Sequence, residues 1–146
     1  MNVKYRQAIM QDVEHCAIVE QFAPDIWSKE GIKASFKDEV SYNFVAESEG
    51  EIIAFCSLQV VCREANLNTI TVLPQYRRCG VAQGLLNFAF CECDADSIYL
   101  EVRSQNNAAI KLYEKLCFAK MGMRKAFYTK PSDDAIIMSK IKGDKL

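Results

Sequence analysis

The sequence predicts an α/β fold: a mixed, mostly antiparallel sheet with helices on both faces. Three observations predict it. Two runs rich in Val, Ile, Phe and Ala, residues 43–47 and 51–61, flank Ser48-Glu49-Gly50 and read as a β-hairpin. A third run, residues 65–72, stops at Pro74, and a turn containing Gly80 then leads into a helical pattern. Two short apolar runs, residues 126–129 and 135–139, face each other across Pro131-Ser132-Asp133-Asp134. Hairpins make antiparallel pairs and helical crossovers make parallel ones, so one sheet must hold both.

The elements follow in order. Residues 3–8 alternate weakly and suit a first strand. Asp12 precedes Val13, Cys16, Ala17 and Phe22, a helical spacing with an acid near its start, and Pro24 ends it. Ser28 suits an N-cap for a helix over residues 29–36, with Ile32 and Phe36 four apart. After the hairpin and the third run, residues 80–93 form a helix through Val81, Leu85, Leu86, Phe88 and Ala89. Residues 97–102 are a short strand. Residues 108–116 are a helix with Ile110, Leu112, Tyr113 and Leu116 apolar, and the two closing strands follow. No repeat, linker or low-complexity segment interrupts residues 1–146, so a single domain is expected. The end, residues 142–146, is expected to fray.

Composition excludes several function classes. The chain has 146 residues, half of them apolar and a quarter charged. A domain of this size buries roughly 68–70% of its unfolded surface without disulfide staples. The net charge is −1, which lacks the basic excess of a nucleic-acid binder. Seven cysteines make an odd number, and most sit in apolar runs, as small buried hydrophobes of a reducing compartment would. Cys91-Glu-Cys93 is too closely spaced for a zinc knuckle and the only histidine is His15, so no metal is expected. Met-Asn-Val-Lys-Tyr-Arg leads into no long apolar core. No stretch approaches the roughly 20 apolar residues that span a membrane. A cytoplasmic monomer without membrane or nucleic-acid partners is the expectation.

The chemistry concentrates on residues 75–82, Gln-Tyr-Arg-Arg-Cys-Gly-Val-Ala. Here a strand delivers the chain into a helix N-terminus, whose unpaired N–H groups and partial positive charge favour an anion. Gly80 and Ala82 let a phosphate approach the backbone, and Arg77 and Arg78 add positive charge. Alone, the same residues also suit an ordinary strand–helix connection with solvated arginines.

The surroundings add a resemblance. Arg77, Gly80 and Ala82 match the phosphate signature Arg/Gln-x-x-Gly-x-Gly/Ala of the GCN5-related N-acetyltransferase (GNAT) superfamily. The likeness extends through Glu64-Ala65, Ile70-Thr71-Val72-Leu73-Pro74-Gln75-Tyr76-Arg77, Leu100-Glu101-Val102-Arg103-Ser104-Gln105-Asn106, Ala108 to Leu116, and Asp134-Ala135-Ile136-Ile137-Met138. With Trp27-Ser28, these blocks resemble the bacterial ribosomal-protein-alanine N-acetyltransferases. The resemblance implies the GNAT fold and acetyl-CoA as co-substrate. It implies that the backbone of Ile70, Thr71 and Val72 holds the pantetheine arm. Arg77, Arg78, Cys79, Gly80, Val81, Ala82 and Gln83 then form the pyrophosphate turn, and Asn106 contacts the cofactor.

The resemblance also implies Glu101 as general base and Tyr113 as general acid. By residue type alone, Glu101 also suits an exposed strand face and Tyr113 a helix core face. The chemistry suits an α-amine: its pKa of about 7.7–8.0 leaves a neutral fraction at pH 7, whereas a lysine at about 10.4 costs roughly 3–4 kcal/mol more to deprotonate. A carboxylate acting through water and a phenol donating to the leaving thiolate complete the transfer.

The acceptor implied is the N-terminal alanine of the eighteenth small-subunit ribosomal protein. It would lie between residues 22–28 and 124–128, with Trp27 and Tyr128 as lining. Trp27 equally suits a core anchor. Three positions depart from the family: Phe127 stands for a tyrosine, Ala23-Pro24-Asp25-Ile26 replaces Phe-Pro before Trp27, and Cys117 replaces a helix-ending glycine. Two other readings are a small-amine acetyltransferase, with Asp25, Glu30, Asp38 and Glu39 as an acidic pocket, and a non-catalytic acyl-CoA-binding module.

Overall fold

The computed structural model describes residues 1–142. The expected fraying of residues 142–146 lies outside them except at Lys142, which is held. Its N–H donates to the Asp96 carbonyl at 2.7 Å and its Nζ to the Cys93 carbonyl at 3.1 Å.

The elements are β1 (Lys4–Gln7), α1 (Val13–Glu20), α2 (Lys29–Ser35), β2 (Ser41–Ser48), β3 (Glu51–Val61), β4 (Glu64–Val72), α3 (Val81–Glu92), β5 (Ser97–Arg103), α4 (Asn107–Lys115), β6 (Ala119–Thr129) and β7 (Ser132–Ile141). Short 3-10 turns precede α1 and follow β4. The seven strands form one sheet in the order β1-β2-β3-β4-β5-β7-β6. Every pairing is antiparallel except β4 with β5.

Local chemistry accounts for the joints. The β2–β3 turn has Glu49 and Gly50 both at positive φ, 52° and 79°, the twist of a two-residue primed hairpin. Ser28 caps α2 by accepting from the Gly31 N–H at 3.0 Å. Chain direction reverses into β7 at residues 130 and 131, so the turn is shorter than residues 131–134. Both closing strands outrun their apolar runs. In β6 the reason is exposure: most of its side chains face solvent and bulges interrupt its register, so no alternating pattern marks its first half.

The register shows how the helices sandwich the sheet. Phe44, Cys56 and Ile70 are successive partners across β2, β3 and β4, and Phe44 packs edge-on against Phe88 of α3. Val45, Phe55 and Thr71 are the next row. Adjacent residues face opposite sides of a sheet, and Thr71 reaches Glu20 of α1. Thus α3 covers one face and α1 the other. Residues 52–58 of β3 are buried throughout, as a strand covered on both faces must be.

Three of the cysteines, Cys16, Cys56 and Cys93, are small buried hydrophobes. The expectation of general burial fails at Cys62, Cys79 and Cys91, which are exposed, and at Cys117, which is half-buried. Those four sit in turns, at a helix end or on an outward helix face, where a neighbouring apolar run does not imply burial. Among the described residues no helix is long and apolar enough to cross a membrane, and no cluster of metal-ligating side chains occurs.

Candidate active site

The site begins where the sheet comes apart. Strands β4 and β5 pair only at Glu64–Ser97, Ala65–Ile98 and Asn66–Tyr99. Beyond these pairs, β4 from Leu67 onward has no partner on its β5 side. Asn68 is a bulge, because Thr69 and Leu67 pair with consecutive residues Ser57 and Leu58 of β3. A bulge bends and twists its strand, which steers β4 away from β5. The opening is a cavity of about 560 Å3 lined by both strands.

One wall is the unpaired edge of β4, where Thr69, Ile70 and Thr71 line the opening. An extended edge offers backbone N–H and C=O groups to a partner strand or a ligand. The strand is braced from behind by Glu20, whose side chain is fully buried. Its carboxylate accepts from Thr69 Oγ1 at 2.9 Å, from Thr71 Oγ1 at 2.9 Å and from the Trp27 N–H at 3.2 Å. Burial pushes this carboxyl above its ordinary value, and the hydrogen bonds from Thr71, Thr69 and Trp27 oppose the rise. Sequence reasoning missed Glu20, since its threonine partners lie 49 and 51 residues away.

At the end of β4 the chain makes its turn. Gly80 is the N-cap of α3 at φ 78°, a left-handed geometry that glycine adopts without penalty. A Cβ at Gly80 would meet nothing within 4 Å, so backbone conformation alone calls for glycine there. The first N–H groups of α3, at Val81, Ala82 and Gln83, find no protein acceptor among the described residues, the arrangement that suits an anion. Arg78 and Cys79 are exposed beside it. Val81 is buried in the core, so only its backbone is on offer. Arg77 turns inward: its Nε and Nη2 donate to the carbonyls of Val72 at 3.3 Å and Phe22 at 3.2 Å. It therefore ties the turn to β4 and to the chain after α1. Val72 and residues 77–83 do not line the cavity itself.

The opposite wall carries Glu101 of β5 and Asn106 and Tyr113 of α4 and its cap. Glu101 lies one residue from buried Leu100 and Val102, so alternation turns it off the core. Its Oε2 is 3.1 Å from Arg124 Nε of β6. Asn106 caps α4, accepting from the Ala109 N–H through Oδ1 at 3.2 Å. Tyr113 packs its ring against Phe118, centroids 5.6 Å apart. Among the described residues its hydroxyl has no hydrogen-bond partner, and Tyr113 lines the cavity. Burial pushes this phenol well above its ordinary value, so it keeps its proton through neutral pH.

The mouth is formed by Ala23, Pro24 and Asp25 on one side and Arg124, Phe127 and Tyr128 on the other. The two segments expected to meet do meet. Trp27 does not line this cavity; it lines an adjoining one with Ile26, Gln59 and Lys130 and is half-buried against the core. The expected acidic pocket does not form. Glu30, Asp38 and Glu39 are absent from both cavities, because α2 and the loop after it turn these side chains to solvent. Asp25 is present, paired with Arg103 at 2.7 Å.

Residues 7–118, more than half of the chain, match the model of the acetyltransferase (GNAT) family. The chain is 39% identical over 118 residues to the ribosomal protein bS18-alanine N-acetyltransferase of Escherichia coli K12, covering 77% of this chain and 79% of that one. It is 28% identical to an N-alpha-acetyltransferase of Sulfurisphaera tokodaii, over 93% of this chain and 91% of that one. The crystal structure of the Escherichia coli ribosomal-protein-S18-alanine N-acetyltransferase superposes with a TM-score of 0.86 at 31% identity, over 99% of both chains. Arabidopsis thaliana NAA60 in complex with acetyl-CoA shares the fold, with a TM-score of 0.84 at 18% identity over 98% of this chain and 100% of that one. The fold is thus the GNAT fold, and the chain belongs to the acetyltransferase (GNAT) family as an N-acetyltransferase.

Proposed function

We propose that this chain is an acetyl-CoA-dependent N-alpha-acetyltransferase acting on the N-terminal alanine of the ribosomal protein bS18. One observation carries the mechanism: Glu101 and Tyr113 line one wall of a cavity whose other wall is an unpaired strand edge. The substrate reading is supported by the 39% identity to the Escherichia coli enzyme of that name.

The donor side suits acetyl-CoA by backbone chemistry. The free edge at Ile70, Thr71 and Val72 would hold the pantetheine amides. The N–H groups of residues 78–83, with the charge of Arg78, would hold the pyrophosphate. Asn106 contributes its amide NH2, and Arg77 fixes the turn that presents these groups. Bound acetyl-CoA supplies an activated thioester.

The acceptor amine attacks that thioester directly. Glu101, through a water, takes the proton the nitrogen sheds. Backbone N–H groups of the β4 edge stabilise charge developing on the carbonyl oxygen. Tyr113 gives its phenol proton to the leaving sulfur. Trp27 and Tyr128 border the path of the acceptor peptide. Its occupancy by a ribosomal protein makes the cytoplasm the site of action, with residues 1–146 working as one domain and as a monomer.

A polyamine or other small cation is the weaker substrate. Of the carboxylates bordering the cavity, Asp25 is paired with Arg103 and Glu101 with Arg124, which leaves Glu64 as the one excess negative charge of the lining. Steady-state rates on an alanine-starting bS18 peptide and on spermidine separate these readings. Turnover on the peptide alone is expected. Turnover on spermidine alone would overturn the proposal.

A further inference from the structure

The densest polar contact at the cavity mouth belongs to Arg103, which the mechanism leaves unused. Its side chain, at the end of β5, is only 10% exposed. Nε and Nη2 donate to the two carboxylate oxygens of Asp25 at 2.9 and 2.7 Å. Nη1 donates to the Pro131 carbonyl at 2.7 Å and Nη2 also to the Lys130 carbonyl at 3.3 Å. The guanidinium carbon lies 4.3 Å from the centroid of the Tyr128 ring. One side chain therefore gathers the loop between α1 and α2, strand β6 and the β6–β7 turn. These segments are the two sides of the mouth.

Arginine suits this task. Its planar fork meets a carboxylate bidentately and stacks on an aromatic ring, geometries that lysine cannot reproduce. Between Phe22 and Ser28 the loop forms neither strand nor helix. Apart from Arg103 it is tied at its ends, by the Ala23 N–H on the Glu20 carbonyl and the Trp27 N–H on the Glu20 carboxylate, which leaves Asp25 to the arginine. We propose that Arg103 is a positioning residue for the acceptor amine, latching the loop that carries Asp25 and Trp27 to the hairpin that carries Tyr128. Both walls of the groove are then set before the acceptor enters. Preorganisation of this kind lowers the ordering cost of binding. The effect falls on acceptor affinity, while donor affinity and proton transfer are left to other residues. The inference rests on the reading of this groove as the acceptor site, but the latch itself has a separate readout.

Trp27 is the only tryptophan of the chain and lies two residues from Asp25. Acrylamide quenching of its fluorescence, in protein without acetyl-CoA, reports the loop directly. Quenching is expected to rise in Arg103→Met and in Asp25→Asn, and to rise no further in the double variant. On an alanine-starting peptide, the acceptor KM of Arg103→Met is expected to rise about tenfold, the scale of one lost charge-assisted contact. Arg103→Lys should recover little of that loss. The KM for acetyl-CoA and the pH profile of kcat should not move. Unchanged quenching, additive effects of Arg103 and Asp25, or raised quenching with an unchanged acceptor KM would each overturn the proposal. If no N-terminal peptide is a substrate, the acceptor reading falls, and quenching alone decides the latch. Should Arg103→Met fail to fold, Asp25→Asn decides, since that side chain is 45% exposed.

Discussion

The two sides of the cavity are built from different materials. The proposed donor side, β4 with the turn into α3, presents backbone: an unpaired strand edge, a left-handed glycine and free helix N–H groups. The proposed acceptor side presents side chains: Arg103 on Asp25 and Tyr128, and Arg124 on Glu101 and near Phe127. Backbone recognition tolerates substitution wherever the main chain keeps its path. Side-chain recognition changes with each residue. Under the proposed function, Cys79 in the turn is expected to be tolerated, while Phe127 and Asp25 are expected to change what the groove offers an amine.

Variants on each side sharpen this division. The largest effect is expected at Glu101. Glu101→Gln keeps the shape and removes the base, so kcat should fall on the order of 10²–10⁴-fold. Its acetyl-CoA Kd by calorimetry should hold, and a matching loss of donor affinity would erase the division. Tyr113→Phe should lower kcat by about 10²-fold, the low end of acid–base contributions. A thiol analogue of lower pKa as leaving group should narrow that deficit, because it needs the proton less.

On the donor side, Gly80→Ala should weaken acetyl-CoA binding about tenfold. A non-glycine residue in the left-handed region costs roughly 1–2 kcal/mol, and relaxing that strain moves the N–H groups. The acceptor KM should stay level, and a shift there instead would show that the two sides are coupled. Cys117 stands at φ 73° after α4. Cys117→Gly should therefore stabilise the fold by about 0.5–1 kcal/mol, the strain relieved less the entropy glycine adds to the unfolded chain. A melt should show a rise of about 1–4 °C, without change in either substrate constant.

The smallest effect depends on pH and tests the brace behind β4. Burial raises the Glu20 carboxyl above its unfolded value, so the folded state holds the proton more tightly. Its contribution to stability is then fully present below the unfolded pKa and is lost as pH rises through the folded one. Glu20→Gln lacks this loss. The difference in Tm, variant minus parent, should grow as pH rises from about 4, near the unfolded glutamate value. A flat difference would mean that the hydrogen bonds from Thr69, Thr71 and Trp27 cancel the effect of burial, and a shrinking one that they outweigh it.

The order of strands and helices was legible because each leaves a local mark: an alternating run, a cap at Ser28, a turn at Glu49 and Gly50, a breaker at Pro74. Strand β6 was half-legible, since an exposed edge strand has no buried face to pattern. The glycine turn was legible because its residues are consecutive, while its reading as a phosphate site needed the resemblance. Glu101, Asn106 and Tyr113 owed their assignment to resemblance, because residue type and spacing alone left each with an ordinary structural reading.

The acceptor side was not legible in this way. Its latch joins Arg103 to Asp25, and the brace behind β4 likewise joins Glu20 to Thr69; no pattern in the chain announces a pair separated by tens of residues. By itself, then, the sequence determined the element order and the glycine turn, which follow from short-range stereochemistry, and the class of chemistry through a resemblance spread along the chain. Only the tertiary structure decided where β4 leaves β5, which carboxylates are neutralised, and that Trp27 stands beside the main cavity. Those depend on which distant segments the packed sheet brings within hydrogen-bond reach.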